Sequence, residues 1–304
     1  MRVANWTPDR LHDLEGRLYV VTGGNSGIGL EAAKKLARRN ADVIIASRNE
    51  AKSRAAADAL APLGAGRKST LRLDLADLSS VHGAAADLRG RTVKIDGLIN
   101  NAGVMQTPRR LTKDGFELQF GTNHLGHFLW TALLFDLVEA VGGRVVTVSS
   151  IAHKYGRLRF DDLMLSARYD PTVAYCQSKF ANLVFAMELA RRLKAAASPA
   201  MSVACHPGYA NTNLQSAGPG ALLAIAYRFS NAIFAQSADQ GAIPTVLAAA
   251  GDEAVSGGYY GPTGLFGLGG PVGDADVLPR AREEHIGKRL WAESERLVDR
   301  KWLM

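Results

Sequence analysis

Cysteine is scarce in this chain, which has two, Cys176 and Cys205, among its 304 residues. Their positions match neither a metal-binding spacing nor a disulfide framework. This scarcity excludes a small secreted domain held together by disulfide bonds, and it excludes a zinc module ligated by cysteine. We expect a protein of the reducing cytoplasm, in which Cys176 serves packing.

Long hydrophobic runs are also missing. Apolar residues make up 47% of the sequence and charged residues 21%, with a mean hydropathy of −0.04, which is typical of a globular protein in water. No apolar run reaches the roughly 18 residues that would suggest a transmembrane helix. The N-terminal residues lack the apolar stretch of a secretory signal. We therefore expect no integral membrane segment and no N-terminal membrane anchor.

Charge of one sign is not concentrated anywhere. The net charge of +7 is modest for this length, and aromatic residues make up only 7%. The arginine pairs at 38–39, 109–110 and 191–192 are scattered and do not form a basic stripe with interleaved aromatic residues. We therefore expect no nucleic-acid partner. A mild positive field does suit a polyanionic cofactor.

The seven histidines show no metal-binding pattern. His124 and His127 would share a helix face at i and i+3, but no third ligand of suitable type lies near them in sequence. We expect no metal site. His153 and His206 are likewise interpreted as structural.

The sequence does contain short β-branched runs that alternate with helix-period segments. Strands are predicted at 18–22, 43–47, 70–74, 97–100, 144–149 and 201–205, with a last strand in the glycine-rich stretch 255–273. Helices are predicted at about 28–39, 49–60, 78–88, 115–139 and 172–196. This alternation predicts an α/β fold, a doubly wound, seven-stranded, mainly parallel sheet with helices on both faces. Ligands bind at the carboxyl ends of the strands in such a sheet.

The domain organisation is predicted to be simple, because neither an internal repeat nor a low-complexity linker interrupts the chain. We predict one domain over residues 1–304, with its core at about 15–262. The apolar segment at about 213–236 is interpreted either as a helical lid over a substrate pocket or as ordinary core packing. Residues 279–302 are predicted to form a charged, amphipathic helical tail.

A glycine-rich turn follows the first strand, with the sequence Thr22-Gly23-Gly24-Asn25-Ser26-Gly27-Ile28-Gly29. Glycines at Gly23, Gly27 and Gly29 would make the turn and let the backbone approach a pyrophosphate. They would also direct the N-terminus of the next helix at that pyrophosphate. The turn therefore predicts a dinucleotide site.

The residues after the second strand bear on the choice between NAD and NADP. An NAD site usually has an acidic residue here to bind the ribose 2′-hydroxyl, but the sequence has Ser47 followed by Arg48. A guanidinium suits a 2′-phosphate through charge-assisted hydrogen bonds. We therefore predict that NADP(H) is favoured over NAD(H).

The third and fourth strands add further candidates for cofactor binding. Asp74, followed by Leu75, could accept a hydrogen bond from the adenine amino group or could cap the following turn. After the fourth strand, Asn101, Ala102 and Gly103 are small enough to let the chain pass close to a ribose.

A tyrosine and a lysine mark the candidate reaction centre. Tyr175 and Lys179 are four positions apart, so one helix would carry both on the same face, about 6 Å apart along its axis. A nearby positive charge favours the phenolate and lowers the pKa of a tyrosine from about 10. The pair predicts a proton donor that works near neutral pH. Reduction of a carbonyl needs such a donor, because the oxygen gains a proton as the carbon gains a hydride.

These motifs, in this order, resemble the short-chain dehydrogenase/reductase family over about residues 15–262. The motifs that carry the resemblance are Thr22–Gly29, Asp74-Leu75, Asn100–Gly103, Asn123, Ser150, and Tyr175 with Lys179. A narrower likeness is visible in residues 122–128, in the long insert between Ser150 and Tyr175, and in residues 174–179. These segments look like the retinol-dehydrogenase-like branch, to which WW-domain oxidoreductases and protochlorophyllide reductases are related.

The resemblance implies a Rossmann fold and a role for each catalytic position. Tyr175 would be the general acid in reduction and the general base in oxidation. Lys179 would lower the tyrosine pKa and hold the nicotinamide ribose. Ser150, rather than the neighbouring Ser149, would bind the substrate oxygen, and Asn123 would fix a water of the proton relay. The family also implies that the cofactor is flanked by Pro207, Gly208 and Thr212.

Several functions remain open at this level. The leading hypothesis is an NADP(H)-dependent enzyme that interconverts a carbonyl and an alcohol on an apolar substrate such as a retinoid, a steroid or a lipid aldehyde. The alternatives are reduction of an activated C=C bond and, in a different class, a non-catalytic NADPH-binding regulator. Family members often form homodimers or tetramers through the helices that correspond here to 115–139 and 172–196.

Overall fold

The apolar runs of the sequence form the strands of a single sheet. The computed structural model describes residues 3–209 and 237–303. Its strands are β1 (Leu18–Thr22), β2 (Asp42–Ser47), β3 (Lys68–Arg72), β4 (Gly97–Asn100), β5 (Arg144–Val148), β6 (Met201–Cys205), β7 (Tyr259–Pro262) and β8 (Val272–Asp274). Their order is β3-β2-β1-β4-β5-β6-β7-β8, so the order reverses between β1 and β4. Such a reversal opens a crevice at the carboxyl ends of the strands.

Within the described residues the sheet has eight strands, one more than the seven predicted. β8 pairs antiparallel with β7, whereas the other neighbouring pairs are parallel. β8 has three residues, too few to show a period-2 pattern, and glycines surround it. Its position depends on distant partners, because Trp6 bridges to Val272 and the Asp274 carboxylate accepts from the Val3 amide at 2.6 Å.

Three strands also differ from their predicted limits, and β2 differs least, since it begins at Asp42 rather than at residue 43. β3 was predicted at 70–74 but runs from Lys68 to Arg72, because its pairing with β2 places Lys68 opposite Val43. Asp74 therefore lies in the loop after β3. β5 ends at Val148, so both Ser149 and Ser150 lie beyond the strand.

Helices cover both faces of the sheet. They are α1 (Gly27–Ala37), α2 (Glu50–Leu60), α3 (Leu78–Arg91), α4 (Gly126–Glu139), α5 (Pro171–Ala195), α6 (Ile243–Ala250) and α7 (Glu284–Val298), with shorter helical turns between them. One apolar core lies between the sheet and α1, α2 and α6, and the other lies between the sheet and α3, α4 and α5. None of the described helices is long and apolar enough to cross a bilayer.

The helix predicted at 115–139 is interrupted. One α-helical turn, Leu118–Phe120, leads into a π-helical turn at Gly121–Leu125, and α4 follows without a break. In the π-turn the Gly126 amide donates to the Gly121 carbonyl, five residues back. π-Turns inside helices are rare overall, and those that occur are often found at functional sites. Asn123 lies in the middle of this one.

The C-terminal tail packs over α4 and α5. Trp291 on α7 stacks on Phe185 with ring centroids 5.8 Å apart, and Trp302 lies 5.7 Å from Phe128. Both tryptophans are buried. The Arg192 guanidinium lies 4.2 Å from the Trp291 ring and donates to the Leu303 carbonyl. Part of the outer surface of both helices is therefore covered by this chain's own C-terminus. The predicted lid at 213–236 and Thr212 lie outside the described residues.

Candidate active site

A cleft of about 420 Å³ lies at the carboxyl ends of the central strands. Most of the predicted cofactor residues converge on this cleft. Gly208 does not line it, and Thr212 lies outside the described residues. The predicted residues that line the cleft are Gly23, Asn25, Ser26, Gly27, Ile28, Gly29, Ser47, Arg48, Asp74, Leu75, Asn101, Ala102, Gly103, Tyr175, Lys179 and Pro207. Sequence reasoning missed eight other lining residues, namely Ala46, Asn49, Lys52, Leu73, Val104, Thr122, Val148 and Ser149.

The glycine turn forms a close-fitting cradle. Gly23 and Gly27 have φ values of +66° and +53°, which side-chain-bearing residues rarely adopt. A Cβ at position 29 would collide with the Asn101 side chain and lie 2.6 Å from the Gly23 carbonyl oxygen. Ser26 caps α1 without a side-chain hydrogen bond to the helix. The first backbone amide groups of α1 are therefore free of a side-chain cap and available to bind an anion.

The end of β2 presents two cations to the cleft. Ser47 is buried, and its hydroxyl pairs with the Ser53 hydroxyl at 2.7 Å. Arg48 and Lys52 are exposed and line the cleft, and no carboxylate of the described residues lies within 4.0 Å of either head group. The neighbouring Glu50 instead pairs with arginines at 54 and 72. Lys52 lies in the first turn of α2, four positions after Arg48.

Asp74 faces the same end of the cleft from the loop after β3. Its carboxylate accepts from the Ala76 amide at 3.0 Å, while its own amide donates to the Ser80 hydroxyl. The helix cap is a different residue, since Asp77 accepts from the amides that begin α3. The second carboxylate oxygen of Asp74 accepts no described hydrogen bond.

Tyr175 and Lys179 lie on the first turns of α5, whose N-terminus Asp170 caps. Both side chains are buried, and the Lys179 Nζ lies 6.0 Å from the centre of the Tyr175 ring. Lys179 also donates to the Val148 carbonyl at 3.0 Å. Burial lowers the pKa of Lys179 to about 8. The ammonium is therefore charged at neutral pH and close to its titration range.

The two serines after β5 have different environments. Ser149 is buried, and its hydroxyl donates to the Lys179 carbonyl at 2.7 Å. Its proton is therefore already engaged in a hydrogen bond within the protein. Ser150 is half-buried, and its hydroxyl oxygen accepts from the Ala152 amide at 3.2 Å. No described residue accepts the Ser150 hydroxyl proton. Behind it, His153 Nδ1 donates to the Ser150 carbonyl at 2.6 Å.

Asn123 is fully buried in the π-turn and does not line the cleft. Its side-chain oxygen accepts from the Val104 amide, and its side-chain nitrogen donates to the Val104 carbonyl and the Ser178 hydroxyl. It nevertheless lies beside the reaction centre. A Cβ at Gly103 would be 3.0 Å from Asn123 Oδ1 and 3.6 Å from Lys179 Nζ.

The buried histidines His124 and His127 make hydrogen bonds within the protein interior. His124 pairs with the Ser294 hydroxyl at 2.9 Å, and His127 contacts Thr22 and the Asn123 carbonyl. Within residues 3–209 and 237–303, no group of three or more His, Cys, Asp or Glu side chains could hold a metal ion.

Comparison with known proteins agrees with this geometry. A model of the short chain dehydrogenase family matches residues 17–219. Human retinol dehydrogenase 13 is 40% identical over 298 residues, covering 94% of this chain and 85% of that protein. Mouse polyprenol dehydrogenase is 38% identical over 304 residues, covering 97% and 87%.

Solved structures show the same similarity. An uncharacterised protein from Mycobacterium paratuberculosis is 42% identical, with a TM-score of 0.81 and 98% of each chain covered. A short chain dehydrogenase from Burkholderia cenocepacia, solved in complex with NADP, is 25% identical, with a TM-score of 0.63 and coverage of 82% and 96%.

Fold, cleft and similarity together define an α/β oxidoreductase that uses a nicotinamide cofactor. The chain belongs to the short-chain dehydrogenase/reductase family, in its retinol-dehydrogenase-like branch.

Proposed function

We propose that this protein is an NADP(H)-dependent enzyme that interconverts a carbonyl and an alcohol on an apolar substrate, with Tyr175 as general acid and base. The observation that carries the proposal is the convergence, in one cleft, of the glycine cradle and the Tyr175–Lys179 pair. The cofactor supplies the hydride, and the protein supplies the proton and the alignment.

The residues of the cleft fit such a cofactor. The cradle leaves little room for a side chain at Gly23 and none at Gly29, Gly27 has a φ of +53°, and the N-terminus of α1 would hold the pyrophosphate. Asp74 would accept from the adenine amino group. Asn101, Ala102 and Gly103 would lie along the adenosine ribose. On the nicotinamide side, the cofactor would be flanked by Pro207, Gly208 and Thr212.

Four residues act at the reaction centre, namely Tyr175, Lys179, Ser150 and Asn123. In reduction, the Tyr175 hydroxyl donates its proton to the substrate oxygen, and in oxidation the phenolate takes that proton back. The Lys179 ammonium favours the phenolate and binds the nicotinamide ribose hydroxyls. The Ser150 hydroxyl donates to the substrate oxygen, since the Ser149 proton is already held by the Lys179 carbonyl. Asn123 orients the water through which the proton is replaced.

Two cations that have no carboxylate partner among the described residues support the preference for NADP(H). Arg48 and Lys52 would bind the 2′-phosphate between them, where an NAD site would have an acidic residue. The relative from Burkholderia cenocepacia was solved with NADP. The apolar substrate is supported by the names of two relatives, a retinol dehydrogenase and a polyprenol dehydrogenase, both of which denote long apolar alcohols.

The deciding experiment measures NADPH and NADH oxidation by the purified protein with carbonyls from small aldehydes to all-trans-retinal and steroid ketones. We expect turnover with NADPH and best rates with large apolar carbonyls. Arg48→Ala and Lys52→Ala should each raise the KM for NADPH by roughly tenfold and leave that for NADH unchanged, because one charge-assisted hydrogen bond contributes about 1.5–3 kcal/mol.

A matched control separates this effect from a general loss of charge. Arg54→Ala removes an exposed cation from the same helix, but Arg54 pairs with Glu50 outside the cleft, so the KM for NADPH should not change. Equal KM values for NADPH and NADH in the unmodified protein would refute the preference. Tight NADPH binding without turnover of any carbonyl would refute carbonyl reduction and favour a C=C substrate or a regulator.

Location and assembly are also proposals. We propose a cytoplasmic protein, consistent with the two free, buried cysteines. A dimer or tetramer through α4 and α5 would have to use surface that α7 and Trp302 leave uncovered.

A further inference from the structure

His127 is a buried residue that lies between the cofactor cleft and the π-turn. It is 2% exposed, and both of its ring nitrogens have hydrogen-bond partners. Nδ1 lies 2.9 Å from the Asn123 carbonyl oxygen, and Nε2 lies 2.8 Å from the Thr22 hydroxyl. Thr22 is the last residue of β1, immediately before the glycine cradle. The contact between His127 and Thr22 therefore joins residues that are 105 positions apart in sequence.

The partners determine which nitrogen carries the proton. A carbonyl oxygen can only accept, so Nδ1 must be the N–H group that faces Asn123. Burial lowers the pKa of His127 to about 4, so the ring is neutral at physiological pH and Nε2 is an acceptor. The Thr22 hydroxyl therefore donates to Nε2. Its oxygen in turn accepts from the amides of Asn101 and Ala102, at 2.9 and 3.0 Å.

The result is one continuous set of hydrogen bonds. It begins at Asn101 and Ala102, which line the cofactor cleft, passes through the Thr22 hydroxyl and the His127 ring, and ends at the Asn123 carbonyl. The Thr22 hydroxyl proton has two acceptors within reach, Nε2 of His127 at 2.8 Å and the Ile99 carbonyl at 3.3 Å, and Nε2 is the nearer. A shift of the loop at 101–102 would move the Thr22 oxygen and with it the partner of the ring. Buried polar networks that are fully satisfied hold their members in one arrangement.

We propose that His127 is a positioning residue, which holds the carbonyl of Asn123 in the geometry needed for proton relay and ties that geometry to the loop that contacts the cofactor. This inference rests on the proposed function, because it assigns His127 a part in the same reaction. His127 itself touches neither cofactor nor substrate.

Two substitutions at His127 keep different halves of the contact. His127→Asn retains an amide N–H near the position of Nδ1, facing Asn123. His127→Gln places its amide near Nε2, facing Thr22, and His127→Leu removes both contacts. We expect kcat to fall about tenfold or more in the Leu and Gln variants and to recover to within about threefold in the Asn variant. The KM for the carbonyl should change less than threefold in all three.

A purely structural role predicts a different order. Asn and Gln would then lose similar amounts of thermal stability, and kcat would follow the melting temperature or stay unchanged. Wild-type kcat in the Leu variant, or equal kcat in the Asn and Gln variants, refutes the inference.

A second measurement does not depend on turnover. Nitrogen NMR of the histidine side chains should show the proton of His127 on Nδ1, and a proton on Nε2 at neutral pH would overturn the assignment. Addition of NADPH should slow amide hydrogen exchange at residues 121–127 in the unmodified protein and in Thr22→Ser, which keeps the hydroxyl. Thr22→Val lacks the hydroxyl and should lose this protection, and equal protection in both variants would refute the coupling.

The outcomes separate the two proposals. A protein that binds no NADP(H) and turns over no carbonyl refutes the proposed function and, with it, the role of His127. A protein that turns over normally while His127→Leu is equally fast refutes only the role of His127.

Discussion

Acid should unfold this protein well above the pH at which its carboxylates titrate, because four histidines are buried in neutral form. Burial lowers the pKa of His124 and His206 to about 3, and that of His127 and His153 to about 4. In the unfolded chain each would titrate near 6.5. Between about pH 6.5 and 4 the unfolded chain therefore binds more protons, and the free energy of unfolding falls as the pH falls.

The magnitude follows from the size of the pKa shifts. At pH 5, which is 1.5 units below the unfolded pKa, each histidine costs about 2 kcal/mol, so the four together cost on the order of 8 kcal/mol. A domain is usually stable by about 5–15 kcal/mol. Glu117 acts in the opposite direction, because burial raises its pKa and protonation relieves that cost. We expect more than half of this loss to occur between pH 6 and 5.

Urea unfolding at pH 7, 6 and 5, followed by tryptophan fluorescence, measures this loss. The signal comes from four buried tryptophans, Trp6, Trp130, Trp291 and Trp302. A fall in the free energy of unfolding of less than about 3 kcal/mol between pH 7 and 5 would refute the argument. Such a fall could be explained by only one or two histidines that are neutral in the folded protein.

His124→Phe provides an internal control. The ring lies among Phe120, Phe128 and Phe185 at 5.2–6.1 Å, and Ser294 keeps its donation to the Leu290 carbonyl. The variant should lose about 1–2 kcal/mol at pH 7, because the ring gives up its hydrogen bonds with Ser294 and Asn182. It should regain about 2 kcal/mol relative to wild type at pH 5, where one titrating group is missing. Parallel pH profiles for the two proteins would exclude His124 as a source of the acid sensitivity.

Further predictions concern single sites. Tyr175→Phe should lower kcat about 10²–10⁴-fold, the usual contribution of a general acid, and leave the NADPH Kd unchanged by fluorescence titration; surviving activity would exclude Tyr175 as proton donor. Gly29→Ala should cost about 1–3 kcal/mol in urea unfolding and weaken NADPH binding, because its Cβ collides with the cradle. The control Gly83→Ala, on α3 with open space around its Cβ, should gain up to about 1 kcal/mol. Thr147→Val should be neutral or stabilising by about 1 kcal/mol, because the buried Thr147 hydroxyl has no hydrogen-bond partner in the described part of the chain; clear destabilisation would show that the hydroxyl is satisfied. Raising the pH through about 8 should weaken NADPH binding, because the buried Lys179 ammonium loses its proton there; a flat Kd from pH 7 to 9 would contradict this.

Much of the fold could be predicted from local patterns. Three strands have the limits predicted for them, at 18–22, 97–100 and 201–205. A buried strand needs only a short apolar run, and a helix needs only its 3.6-residue period, so both are encoded by neighbouring residues. The glycine turn after β1 is local in the same way.

Features that depend on distant partners could not be predicted so well. β8 exists because residues 272–274 reach β7 and the N-terminal segment. Lys52 was missed because an exposed lysine on a helix resembles any solvated residue until the cleft beside it is known. The Ser149 hydroxyl reaches the Lys179 carbonyl only because α5 packs against β5, whereas Ser150 bonds locally to the Ala152 amide.

The order of the elements, the glycine cradle and the pairing of Tyr175 with Lys179 could all be predicted from local sequence patterns. The cradle residues 23–29 and the Tyr175–Lys179 pair each lie within one or two turns of chain, so backbone geometry alone brings them together. The pairing of β1 with β4, the π-turn at Asn123 and the contact of His127 with Thr22 became visible only in the folded chain. Sheet order and the burial of polar groups bring these residues together, and neither can be read from sequence spacing.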